Sequence, residues 1–165
     1  MSRIRKLVGV GMSALTIVVI VVVQGILADK LRVFRFFDLP LIYCVFYGFT
    51  RSRPVASVFV GSILGLMQDS LSGVPMGTNG FSKAVICFAA ASTSLKFNVD
   101  QAITRTFALF LFTLADGLLV TMLGLTMGTG VGSGARLADL ALSGAFNTLL
   151  GLIMFGFRDR YRHAA

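Results

Sequence analysis

Residues 7–28 form a long apolar run directly behind the basic residues Arg3, Arg5 and Lys6. About 20 predominantly apolar residues are enough for a helix to cross the hydrocarbon core of a bilayer. A cleaved signal peptide also begins with basic residues, but its apolar core is typically about 7–15 residues long. The run exceeds that length, and it therefore predicts a transmembrane helix that is retained.

The composition extends this interpretation to the whole chain. Hydrophobic residues make up 56% of the 165 residues, charged residues make up only 13%, and the mean hydropathy is +0.86. A soluble globular domain carries roughly 25% charged residues, so a water-soluble fold of this size could not bury so much apolar surface. We therefore expect a single all-α integral membrane domain over residues 1–165.

Polar turns divide the chain into six apolar runs, which predict a bundle of six transmembrane helices. The second run is short and carries Asp38 and Pro40 near its start. Its helix therefore begins either nearer Val33 or partly in the membrane interface. The predicted spans are about 7–28, 36–50, 55–71, 81–95, 102–125 and 137–157.

The basic residues predict the orientation of these helices, because cytoplasmic loops carry an excess of Lys and Arg. With the N-terminus inside, ten basic residues fall on the cytoplasmic side and five on the outer side. The cytoplasmic residues are Arg3, Arg5, Lys6, Arg51, Arg53, Lys96, Arg105, Arg158, Arg160 and Arg162, and the outer residues are Lys30, Arg32, Arg35, Lys83 and Arg136. This distribution favours six spans with both termini in the cytoplasm. Five spans would place the three C-terminal Arg residues outside.

A net charge of +8 could indicate nucleic-acid binding, but the basic residues lie mostly at the ends of apolar runs. We therefore expect membrane lipid, and no nucleic acid, as their partner. Cys44 and Cys87 lie inside apolar runs and His163 stands alone near the C-terminus, so no metal or cofactor site is predicted. The sequence lacks the motifs of zinc peptidases, serine hydrolases and phosphate-binding loops, which argues against an enzyme.

A ridge of small and polar residues recurs at every fourth position of the third run. Its members are Ser57, Gly61, Gly65, Asp69 and Gly73. Small residues at this spacing let a second helix approach closely within a membrane. The ridge therefore packs inside this protein, seats a helix of another protein, or borders a ligand cleft.

Four polar side chains in or beside the apolar runs are expected to need partners, because unpaired polar groups are costly in a bilayer. Asp69 and Lys83 flank the loop at residues 72–80, so we predict an ion pair between them, with a proton relay as the alternative. Asp116 and Asn147 lie within the fifth and sixth runs. They are predicted to form a hydrogen bond across the helix pair, unless Asp116 faces a polar cavity.

Three short stretches around the third and fourth runs carry a family resemblance. They are Gly65-Leu66-Met67-Gln68-Asp69, Ser72-Gly73-Val74-Pro75-Met76-Gly77 and Asn79-Gly80-Phe81-Ser82-Lys83. This series resembles the pattern of MreD, a family of bacterial rod shape-determining membrane proteins, with a G-L-x-x-D helix end, a glycine-bearing loop and an S-K helix start. Asp38-Leu39-Pro40-Leu41 is similar to the P-D-L-L-L opening of that family's second helix, although here the proline follows the aspartate.

The resemblance implies a non-enzymatic subunit of the cell-elongation machinery in the bacterial cytoplasmic (inner) membrane. There it would work in peptidoglycan synthesis with MreC, the actin-like MreB, the glycosyltransferase RodA and a class B penicillin-binding protein. It also implies a fold similar to the substrate-binding subunits of energy-coupling-factor transporters. The residues and the resemblance together favour a scaffold that seats the transmembrane helix of a partner such as MreC. The alternative is a small-molecule-binding membrane subunit of a transporter.

Overall fold

The computed structural model describes residues 16–26, 30, 37–97, 99, 101–128 and 137–164. This part of the chain contains six helices and no β-strand. The helices are α1 (Thr16–Ile26), α2 (Leu39–Arg51), α3 (Pro54–Ser72), α4 (Thr78–Lys96), α5 (Ala102–Thr126) and α6 (Leu137–Ala164). The expected all-α fold is therefore confirmed over the described residues.

Each helix overlaps one of the predicted apolar runs. Three segments are long and apolar enough to cross a membrane, and they are Pro54–Ser72, Ile103–Thr126 and Asp139–Gly156. Residues 7–15, 27, 28 and 36 of the predicted spans lie outside the described residues. The sixth helix continues past residue 157 to Ala164, because the residues that follow contain neither Gly nor Pro to end it.

The ends of α2 and α3 follow from the local sequence. Asp38 is the N-cap of α2 and accepts a hydrogen bond from the amide of Leu41 at 3.0 Å. Pro40 lies in the first turn, where its missing N–H would have had no partner within the helix. Gly73 ends α3 with a φ of +64°, a left-handed conformation that favours glycine. Gly73 is exposed at this turn, so the buried part of the predicted ridge ends at Asp69.

The predicted ridge of α3 packs against α4. Its buried members are Ser57, Gly61, Gly65 and Asp69. A methyl group added to Gly61 would overlap the main-chain carbonyl of Lys83, and one added to Gly65 would overlap that of Asn79. The glycines thus allow direct contact between the two backbones. Of the three interpretations of the ridge, the structure supports packing within this protein, because α4 covers this face of α3.

α2 runs parallel to α4 and begins deeper in the bundle. Gly48 lets the two backbones approach closely in the last third of α2. Towards the ends of both helices, the Ser94 hydroxyl donates to the hydroxyl oxygen of Ser52 at 2.9 Å. At the other end, Asp38 contacts Lys83, which lies roughly one and a half turns inside α4. The start of α2 is therefore recessed relative to the start of α4.

Two clusters of buried side chains fill the bundle, and α2 and α4 contribute to both. The first cluster also includes α5 and α6, and its buried members are Leu41, Val45, Phe49, Ile86, Ala90, Ala108, Leu109 and Phe155. The second also includes α1 and α3, and its buried members are Ile17, Val21, Tyr43, Cys44, Leu64 and Cys87. Both cysteines are free thiols in this core. The centre of the fold is therefore the α2–α4 pair.

We expect Gly61→Leu and Gly65→Leu to lower the stability of the protein, because either side chain would force α3 away from α4. Overpacking of this kind typically costs about 1–3 kcal/mol. Gly156→Leu is the matched control, since Gly156 is exposed on α6 and an added methyl group would meet nothing within 4 Å. The measurement is the melting temperature of the detergent-purified protein. If both ridge variants melted at the wild-type temperature, the result would contradict the α3–α4 contact.

Candidate functional site

Lys83 lies at the centre of a buried polar cluster. Its side chain is 0% exposed, and its Nζ atom lies 2.8 Å from Asp38 Oδ2 and 3.6 Å from Asp116 Oδ2. Nζ also donates to Asn79 Oδ1, one turn earlier in α4, at 3.4 Å. A buried ammonium group is tolerated only when partners neutralise it. Here Asp38 at the start of α2 and Asp116 in α5 supply the neutralising carboxylates.

Asp116 faces α4 rather than α6. The hydroxyl of Ser82, which precedes Lys83 in the chain, donates to Asp116 Oδ1 at 2.6 Å. Two consecutive residues of α4 therefore hold the same carboxylate, one by a hydrogen bond and the other by charge. The predicted hydrogen bond between Asp116 and Asn147 is wrong, because Asn147 instead binds the backbone of α2.

Asp69 binds the start of α4 and does not pair with Lys83. Its Oδ2 accepts hydrogen bonds from the amides of Gly77 and Gly80 at 2.8 and 3.2 Å. Its Oδ1 accepts from the main-chain amide and the side-chain Nδ2 of Asn79 at 3.0 and 2.8 Å. The free N–H groups and the dipole of a helix favour a negative charge at this end. The predicted ion pair between Asp69 and Lys83 is therefore wrong, although Asn79 contacts both side chains.

The recessed start of α2 is capped by side chains from the first and last helices. Asn147 Oδ1 in α6 accepts a hydrogen bond from the amide of Asp38 at 2.9 Å. Gln24 Oε1 in α1 accepts from the amide of Leu39 at 3.3 Å, and its Nε2 donates to the carbonyl of Phe37. The first N–H groups of a helix have no partner within the helix itself. Asn147 and Gln24 supply these partners in an apolar environment.

The polar cluster contains residues from all six helices. Its members are Gln24, Asp38, Asp69, Asn79, Ser82, Lys83, Asp116 and Asn147. These contacts join side chains to the backbone at the starts of helices, and they also join side chains to one another. They therefore determine the rotation of each helix and its depth in the bundle. Among the described residues, no group of three or more His, Cys, Asp or Glu side chains could hold a metal ion. The arrangement is that of a packing centre.

Sequence reasoning did not single out Gln24, Asp38, Asn79 or Ser82 as site residues. Gln24 is a polar residue inside the first apolar run, which was the signal that could have found it. Asn79 and Ser82 belong to the stretch that carries the family resemblance. Asp38 could not be assigned to Lys83 from spacing, because the two residues are 45 positions apart in the chain.

The helical fold, its three apolar segments of membrane-spanning length and its internally paired charges define a helical membrane protein. The model of the family described as rod shape-determining protein MreD matches residues 5–160 of the 165-residue chain. The chain therefore belongs to the MreD family, which confirms the resemblance found in the sequence. Membership suggests a role in rod-shape determination, within the system that also contains MreB and MreC.

No curated protein and no solved structure matches the chain. The likeness to the substrate-binding subunits of energy-coupling-factor transporters therefore stays an implication of the resemblance.

We expect Lys83→Met to destabilise the protein by about 3–5 kcal/mol, because it leaves the buried carboxylate of Asp116 and the partly buried one of Asp38 without their ammonium partner. Adding Asp38→Asn to Lys83→Met should recover part of this loss. Adding Asp69→Asn should recover none of it, since Asp69 binds the amides of α4. The measurement is the melting temperature in detergent, together with the steady-state level in membranes.

Lys96→Met is the matched control for these variants, because Lys96 is exposed at the end of the same helix. We expect it to melt like the wild type. If Asp69→Asn rescued Lys83→Met and Asp38→Asn did not, the ion pair would join Asp69 to Lys83 and the present assignment would be overturned.

Proposed function

We propose that this protein is a non-enzymatic scaffold subunit of the bacterial cell-elongation machinery, and that it seats the transmembrane helix of a single-span partner such as MreC. Membership of the MreD family is the observation that carries the proposal. The MreD family belongs to a rod-shape system that also contains MreC, and for this reason we propose an MreC-like protein as the partner. We expect RodA, a class B penicillin-binding protein and MreB to belong to the same peptidoglycan-synthesising assembly at the inner membrane.

The polar cluster supports a scaffold because its contacts hold the helices of this protein to one another. Lys83 joins α4 to α2 and α5, Asp69 joins α3 to α4, and Asn147 joins α6 to α2. A rigid set of helices positions a bound partner better than a mobile loop does. The seat expected on Gly61 and Gly65 is covered by α4, so a helix of the partner must bind elsewhere.

An apolar groove between α3 and α4 is the seat that we propose. Its volume is about 610 Å³. Its more exposed lining residues are Leu66, Phe81, Val85 and Phe88, and its less exposed ones include the small residues Ser62, Gly80 and Ala84. Small residues between larger ones allow a transmembrane helix to approach closely. Because α3 and α4 are in backbone contact, the groove has a fixed shape for an apolar helix of the partner.

We further propose that all six helices cross the membrane, with both termini in the cytoplasm. α2 and α4 are parallel, and α3, which connects them in the chain, runs in the opposite direction. These directions support helices that cross the membrane alternately. The 13 residues of α2 make it about 20 Å long, which is shorter than a hydrocarbon core of about 30 Å. This shortness accounts for its polar caps, because its first turn then lies below the membrane surface.

Topology reporters test the six-span proposal. A reporter fused after Ala165 or inserted within residues 51–54 should report the cytoplasm, because the basic residues there favour that side. A reporter inserted within residues 74–79 should report the outside. A C-terminal fusion that reports the outside would contradict six spans.

Ala84→Phe tests the proposed seat, because a phenyl ring at this position fills the groove between α3 and α4. We expect normal membrane levels and a loss of copurified MreC-like partner of about tenfold, which corresponds to about 1.4 kcal/mol of binding free energy. The measurement is the amount of the single-span partner recovered with the tagged protein in mild detergent.

The control is Ala145→Phe, which places the same side chain in the apolar groove between α5 and α6. This variant should retain the partner at the wild-type level. Full retention by both variants, or a loss with Ala145→Phe alone, would show that the partner does not use the α3–α4 groove. Recovery of ATPase subunits in place of a single-span protein would contradict the scaffold and favour a transporter subunit.

A further inference from the structure

Asn147 carries a buried side-chain amide whose oxygen forms a hydrogen bond and whose NH₂ group does not. The residue is 1% exposed, and its Oδ1 accepts the hydrogen bond from the amide of Asp38 at 2.9 Å. This bond determines the orientation of the side chain, because the reverse orientation would bring two N–H donors together. The Nδ2 group has no hydrogen-bond partner among the described residues. A buried donor of this kind costs about 1–3 kcal/mol when it stays unsatisfied.

The carboxylates around Lys83 have the opposite property, because they have more hydrogen-bond acceptors than nearby donors. Asp38 and Asp116 share its single ammonium group, and the distance from Nζ to Asp116 Oδ2 is 3.6 Å. The third nearby carboxylate, that of Asp69, is directed to the amides at the start of α4. The amide of Leu41 also donates to Asp38 Oδ1 and the hydroxyl of Ser82 to Asp116 Oδ1. Each carboxylate oxygen can accept a second hydrogen bond, so the two carboxylates keep spare acceptor capacity, while Asn147 has a spare donor.

One molecule that both accepts and donates hydrogen bonds could bind the Nδ2 group of Asn147 and a carboxylate near Lys83 at the same time. A cation would not accept from the Nδ2 group of Asn147, and an anion would be repelled by the carboxylates of Asp38 and Asp116. A water molecule meets the requirement, because buried waters typically bind about two to four polar groups. The Asp38 side chain is 21% exposed, so the cluster is not fully enclosed at this edge.

We propose that the cluster contains an internal water site, in which a bound water molecule accepts a hydrogen bond from Asn147 Nδ2 and donates to the carboxylate surplus around Lys83. Irregular or terminated backbone at membrane depth is tolerated where protein or water satisfies it. The water would thus complete the polar cap at the recessed start of α2. The site is independent of the proposed scaffold function.

Nuclear magnetic resonance can test this site directly, because the chain has only three asparagines, Asn79, Asn98 and Asn147. Labelling with ¹⁵N-asparagine therefore gives three side-chain NH₂ groups in the wild-type protein in detergent micelles. We expect the NH₂ group of Asn147 to show a nuclear Overhauser effect to water with the sign of a long-lived contact. Asn79 is the internal control, because its Nδ2 donates to Asp69 Oδ1 at 2.8 Å and should show no such effect.

Asn147→Asp assigns the signal, since it removes the NH₂ group and keeps an oxygen that can accept from Asp38. If this variant does not accumulate, Asn79→Gln and Asn98→Gln remove the other two labelled side chains one at a time, and the remaining signal is assigned to Asn147. The absence of a water effect at Asn147 would overturn the proposal. An effect from protons of a bound organic molecule in place of water would overturn it as well.

Discussion

The ammonium group of Lys83 has no exposed surface, so its charge must be neutralised inside the bundle. Asp38 supplies the closer carboxylate and Asp116 the more distant one, and both carboxylates are brought to α4 by other helices. Ser82 then adds a hydrogen bond to Asp116 from the neighbouring position of α4. A rotated or displaced α2 or α5 would leave a charge unpaired in an apolar environment. This electrostatic requirement therefore selects one arrangement of the helices around α4.

Close backbone packing makes the second part of the polar cluster possible. Gly61 and Gly65 allow α3 to contact the main chain of α4, and Asp69 follows them at the same helical spacing. Its carboxylate consequently reaches the amides of Gly77 and Gly80, which lie at the start of α4. Steric fit and electrostatics thus depend on each other, because a larger residue on the ridge would also move Asp69 away from the amides it caps.

This division between a polar interior and an apolar exterior bears on function. The buried charges and amides contact other helices of the same protein, and the exposed side chains of α3 and α4 surround an apolar groove. Membership of the MreD family connects such a helical membrane protein with rod-shape determination. The proposed seating of a partner helix would use both features, the rigid interior and the apolar groove.

The amino-acid sequence alone was sufficient to predict the all-α class, the approximate helix positions, the ridge of small residues and the family. Each of these follows from local patterns, namely apolar runs, turn residues, glycine spacing and a short motif. The pairing of the polar residues could not be obtained in this way, and the expected pairs of Asp69 with Lys83 and of Asp116 with Asn147 were wrong. These pairs became clear only from the packing of the helices in the folded protein. The recessed start of α2 brings Asp38 to Lys83 and to Asn147, and that depth depends on contacts with helices far apart in the chain.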